Sequence, residues 1–159
     1  MLALELNKST VKAFMGQLLR EVLFDVFEVR SVEIVTNIRM NIDGQQAAEA
    51  EAADEAIQIK KPGFSTWEAL RPLVYAIIKT SPKPKHVKVV FSYKANEACD
   101  IHANAAALFL NLAYENDSVT FTTGTAQKEF VFEKSLDIAW DEWVKAFFEK
   151  AGLQVADRE

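Results

Sequence analysis

Cys99, Asp100 and His102 fall within four residues of one another, with Glu97 just upstream. Thiolate, carboxylate and imidazole are the side chains that serve as nucleophile, general base or metal ligand. The spacing matches no metal motif, however. A catalytic cysteine also needs a histidine close in space, and the chain holds only two histidines. The ordinary reading of this segment is a polar loop, and an enzyme built on Cys99, Asp100 and His102 ranks third among the readings. The chain contains no Gly-rich phosphate loop, His-Glu-x-x-His, Gly-x-Ser-x-Gly or dinucleotide fingerprint. No catalytic residue, metal or cofactor is therefore assigned.

A stronger pattern is charge. Residues 60–94 carry Lys60, Lys61, Arg71, Lys79, Lys83, Lys85, Lys88 and Lys94 against one acid, Glu68, in a chain of net charge −5. A basic segment in an acidic protein can bind phosphates through counterion release, without reading sequence. Lys79, Lys83, Lys85, Lys88 and Lys94 are the candidate binding residues. Against this, lysines without interleaved aromatics usually solvate a surface or pair with acids elsewhere.

Three further groups have two readings each. Trp67, Trp140 and Trp143 could form an exposed recognition patch, but at helical spacing among Leu and Phe they read as core. Thr120, Thr122, Thr123 and Thr125 could line a polar pocket or simply reflect β-propensity on a solvent face. Asp137, Asp141 and Glu142 sit where carboxylates favour the positive end of a helix dipole.

The elements that would position these residues follow from periodicity. Leu2, Leu4 and Leu6 alternate with polar or small residues as a short strand. Thr10 then N-caps a helix whose inward residues include Val11, Phe14, Leu18 and Val22. Alternation from Glu28 to Ile42 predicts one long, half-wet strand ended by Asp43-Gly44. Residues 45–56 are Ala/Glu-rich and read as a loop free to move, and Ile57 and Ile59 as a brief strand. Ser65-Thr66-Trp67-Glu68 has capping-box spacing and starts a second helix, bent by Pro72. Residues 86–94 form a strand with a basic face, and 96–104 a polar loop. Three meander strands follow, at about 106–115, 118–124 and 128–133. Ser135 caps a final helix closed by Gly152, and 154–159 is a frayed tail. The order β-α-β-β-α-β-β-β-β-α, with about three helices, predicts an α+β fold with a mainly antiparallel sheet.

The 159 residues are half hydrophobic and a quarter charged, which suits one folded domain, here 1–153. Cys99 is the only cysteine, so no intrachain disulfide forms and a reducing, cytoplasmic setting is expected. The opening residues lack a signal pattern, and no long apolar run points to a membrane.

Asn41-Ile42-Asp43-Gly44, Trp67 through Leu73, Leu108 through Leu112, Thr122-Thr123-Gly124-Thr125 and Trp140 through Val144 resemble segments of a small family of uncharacterised bacterial proteins. The resemblance spans nearly the whole chain, apart from the Ala/Glu-rich stretch. It implies a bacterial source but no activity, cofactor or site residue. The succession β-α-β-β-α-β-β-β is also similar in architecture to a DNA sliding-clamp domain. No motif matches, a final helix is added, and the overall charge has the wrong sign for DNA.

The first expectation is thus a non-enzymatic interaction or accessory module that recognises a protein partner. The alternative is nucleic-acid or phosphate binding through residues 60–94.

Overall fold

The computed structural model describes residues 1–47 and 63–158. The expected strand at Ile57 and Ile59, Lys60 and Lys61, and most of the Ala/Glu-rich stretch lie outside the described residues. The fold is α+β, as expected, and the described residues form seven antiparallel strands in one sheet of order β3-β2-β4-β5-β6-β1-β7. The strands are β1 (Ala3–Leu6), β2 (Glu28–Val35), β3 (Arg39–Asp43), β4 (His86–Ser92), β5 (Ala105–Glu115), β6 (Ser118–Gln127) and β7 (Val155–Asp157). Three long helices, α1 (Val11–Arg20), α2 (Trp67–Thr80) and α4 (Ser135–Ala151), are joined by a single turn, α3 (Ala98–Ile101).

One face of the sheet is the core face. Val32, Val89, Leu112, Phe121 and Leu4 are register partners across five strands, and all are buried. The helices lie on this face and seal it with aromatic rings. Phe14 of α1 meets Phe121 edge-on at 5.7 Å, Trp67 of α2 meets Phe91 at 5.4 Å, and Phe147 of α4 meets Phe24 at 5.6 Å. Trp67 and Trp140 are fully buried, so they belong to the core. Their indoles donate to the carbonyls of Leu18 and Phe109, which satisfies the one polar atom each brings inside. The opposite face, with Glu33, Lys88, Ala113 and Thr120 in one cross-strand row, carries no described helix.

Several expectations are corrected. The single strand over 28–42 is a hairpin: Thr36, Asn37 and Ile38 make a tight turn in which the Thr36 amide donates to the Ile38 carbonyl at 3.0 Å. The period-2 pattern runs on through both arms, and neither Gly nor Pro marks the turn. Residues 128–133 are not a strand, and 98–101 of the expected loop form a helical turn. The frayed tail is instead β7, in which Val155, Ala156 and Asp157 pair with Leu6, Glu5 and Leu4 and cap the free edge of β1.

Caps move by a residue or change role. Thr66, not Ser65, accepts from the Ala69 amide. Thr10 turns its hydroxyl back to the Asn7 carbonyl, and Asn7 caps the preceding turn. Gly152 does close α4, at φ 73°, in the left-handed region that a glycine adopts without strain. Gly44 is needed for a different reason: a Cβ there would lie 1.8 Å from the Val29 carbonyl oxygen.

Candidate functional site

Where the chain leaves β6 at Gln127, opposite the start of β5, it has no strand left to pair with. Two side-chain amides take over. Asn104 donates from Nδ2 to the Glu129 carbonyl at 2.9 Å and accepts from the Glu129 amide at 3.0 Å. Gln127 does the same for Val131, donating to its carbonyl at 3.2 Å and accepting from its amide at 3.1 Å. The Lys128 amide adds a bond to the Asn104 carbonyl. Each amide thus imitates a paired strand residue, one on either side of Phe130.

The braced segment holds two aromatic rings in solvent. Phe130 is 78% and Phe132 91% exposed, and their rings meet edge-on at 5.0 Å. Val131 between them is also exposed. Lys128, Glu129, Glu133 and Lys134 surround them with balanced charge. Sequence reasoning missed this feature because Phe-Val-Phe flanked by charges also satisfies the strand pattern.

In the Cys99 segment, the hydrogen bonds of His102 and the contact of Cys99 go to residues outside the Cys99-Asp100-His102 trio. His102 is held by other groups: the Asn104 amide donates to its Nδ1 at 3.1 Å, which leaves the proton on Nε2 to donate to the Ser135 hydroxyl at 2.9 Å. Ser135, expected as a cap, is the first residue of α4 and fastens this histidine. Cys99 is exposed, and its Sγ lies 2.7 Å from Lys128 Nζ. Asp100 is exposed beside it.

The basic segment is spread over the molecule. Lys79 lies in the last turn of α2, its ammonium 5.8 Å from the Tyr75 ring centroid, and Lys83 and Lys85 lie in the connector before β4. Lys88 points from the middle of β4 to the open sheet face. Lys94 follows the far end of β4, about 20 Å away at some 3.3 Å per strand residue. The fold thus groups Lys79, Lys83 and Lys85 at one end of the sheet and separates them from Lys94.

Acids already occupy two cations of the segment. Arg71 forks onto Asp25 with 2.9 and 3.0 Å bonds, and that hydrogen bonding raises its guanidinium pKa. Lys83 pairs with Asp117 at 2.8 Å, which raises the lysine and lowers the carboxyl.

The remaining candidates are structural. Thr123 and Thr125 donate their hydroxyls to Asp141 and Asp137, latching α4 to β6. Alternate strand residues and helix residues four apart both repeat at about 6 Å, so the two pairs match. Thr120 and Thr122 face the other way, onto the open sheet face, in register with Ala113 and Asn111. Trp143 is partly buried and stacks between Trp140 and Phe147 at 5.1 and 5.5 Å.

No described helix is long and apolar enough to cross a membrane. No curated protein and no solved structure matches the chain. A family model does match, over residues 17–156, which takes in every element from α1 to β7 apart from the first turns of α1 and the last residue of β7. The chain belongs to a family of unknown function, DUF5721.

Proposed function

We propose that the protein is a non-enzymatic interaction module whose contact is the braced loop bearing Phe130 and Phe132, and that the loop inserts into an apolar pocket on a protein partner. The observation that carries this is the pairing of exposure with bracing. Burying a phenylalanine is worth about 1.5–3 kcal/mol, so two rings left in water forgo a large stabilisation. A loop fixed by two side-chain amides also loses little entropy on docking, and such preorganisation strengthens binding. Aromatic anchors of this kind dominate interface energetics. A lipid surface is a poorer fit. The charges around the rings cancel, so anionic headgroups add no attraction.

A photo-crosslinking phenylalanine analogue at position 132 tests this in cells that make the protein, with the same analogue at exposed Val22 as control. A discrete adduct to one other protein, formed from 132 and not from 22, is expected. Adducts to lipid, or the same products from both positions, would overturn it. A self-adduct would replace the partner with a second copy of the chain.

A further inference from the structure

The two long helices that open the two halves of the chain pack tightly at one end only. The start of α2 is fastened to the end of α1: Trp67 donates to the Leu18 carbonyl at 3.1 Å and Arg71 to the Arg20 carbonyl at 3.4 Å. Toward the start of α1 the pair opens onto a cleft of about 570 Å³. Its walls are α1, the last turn of α2, the connector before β4 and the turn joining β5 to β6. That volume lies in the range of small-molecule sites, about 300–1,000 Å³.

Polarity in the cleft is sorted. Val11, Met15 and Leu19 recur at four-residue spacing on α1 and, with Ile78 and Pro84, make an apolar floor. The charged groups stand at the mouth: Lys8, Lys12, Lys83 and Asp117. Asp117 is already neutralised. Its carboxylate accepts from Lys83 Nζ at 2.8 Å and from the Tyr114 hydroxyl at 3.0 Å. The turn that presents it, Asn116-Asp117, sits at φ 53° and 59°, values that Asn and Asp tolerate in tight hairpins.

Lys8 and Lys12 form no ion pair among the described residues. Glu5 and Asp157 lie across an adjoining groove from Lys8, but neither comes within ion-pair distance. The mouth therefore has a positive excess in a chain whose net charge is −5. Tyr114 is the one aromatic ring in the lining, and the floor offers no donor or acceptor array. A nucleobase or sugar would leave its polar groups unpaired there.

We propose that this cleft binds a small amphiphile with an apolar chain on the α1 floor and one anionic head, carboxylate or phosphate, between Lys8 and Lys12. The site lies apart from the Phe130–Phe132 loop and stands whether or not that loop docks a partner.

Calorimetric titration of the full chain with decanoate, decyl phosphate and decyltrimethylammonium, each below its micelle concentration, tests the proposal. Both anions bind at one site, and the tighter of them identifies the head group. The cation binds at least about tenfold more weakly, a difference of roughly 1.4 kcal/mol. The K8E/K12E variant weakens both anions by about tenfold or more. Both lysines are exposed, so this variant keeps the fold. Met15→Trp fills the floor and removes binding of all three probes. The proposal is overturned if neither anion binds, if the cation binds as well as the anions, or if K8E/K12E leaves anion affinity unchanged.

Discussion

Phe24 and Phe132 are the same residue in opposite circumstances. Phe24 is fully buried, with Phe91 stacked at 5.1 Å and Phe14, Phe27 and Phe147 all within 6 Å. Phe132 has one aromatic neighbour, Phe130, and is 91% exposed. The core ring is held by what surrounds it, whereas the loop ring is held through the backbone of the preceding residues Glu129 and Val131, by Asn104 and Gln127. The core can therefore be explained by folding alone, but the loop cannot: nothing in the described fold gains from leaving these rings in water.

The largest expected effect separates the two regions. Phe24→Ala empties a site in the middle of the ring cluster and lowers stability by about 3–5 kcal/mol. Phe132→Ala changes stability by no more than about 0.5 kcal/mol, as surface substitutions usually do. Denaturant unfolding of both variants measures the contrast. A loss of several kcal/mol at Phe132 would mean that the ring is packed in solution, and the contrast would collapse.

A smaller effect is expected at the braces. Asn104→Ala or Gln127→Ala removes two hydrogen bonds from exposed backbone that water can replace, so each costs about 1 kcal/mol or less. The local consequence is larger than the global one. Amide exchange at Glu129 speeds up in Asn104→Ala, and at Val131 in Gln127→Ala, while Phe91 and Leu112 in the central strands keep their protection. If exchange at 129 and 131 stays unchanged, the loop is rigid for another reason and the bracing argument fails.

The Phe130 loop also shows where sequence pattern stops being informative. Glu129 to Glu133 alternates as well as β4 does, but alternation describes side chains, and a strand also needs a backbone partner. β5 begins at Ala105, opposite Gln127, so beyond the single Lys128 bond to the Asn104 carbonyl the segment to 133 has no partner strand. The hairpin within 28–42 failed for the converse reason: Asn37 turns the chain without the glycine or proline that flags a turn.

The strong periodic elements, α1, α2, α4, β4 and β5, were readable because each has an apolar face long enough to define its period. The site features were less so. Lysines in 60–94 are visible as charge, but only the fold shows Lys83 spent on Asp117, 34 residues on, and Lys8 and Lys12 at the same cleft. The β7 pairing was unreadable because a three-residue strand carries too short a pattern to stand out from a tail.

The smallest expected effect lies at that cleft and is electrostatic. Asp117 is held below the usual carboxylate range by hydrogen bonds from Lys83 and Tyr114, which favour its ionised form. A group with a lowered folded pKa stabilises the fold above its unfolded pKa, and that contribution fades as pH falls through the folded value. The Tyr114 phenol is pushed up, first by burial and then by its bond to Asp117. Its contribution is complete below its unfolded pKa, near 10, and is lost as pH rises through the folded value. Both contributions are therefore intact around neutral pH. Asp117→Asn removes the carboxylate and leaves the burial, so the Tyr114 phenol titrates at lower pH than in the parent protein but still above the ordinary tyrosine range. NMR of the Tyr114 ring through alkaline titration separates it from Tyr93, whose phenol burial also raises. If the Tyr114 titration does not move in Asp117→Asn, burial alone sets it, and the hydrogen-bonded turn at the cleft mouth does not persist in solution. The Phe130–Phe132 loop, where opposite charges balance, keeps its amide exchange pattern in the same variant.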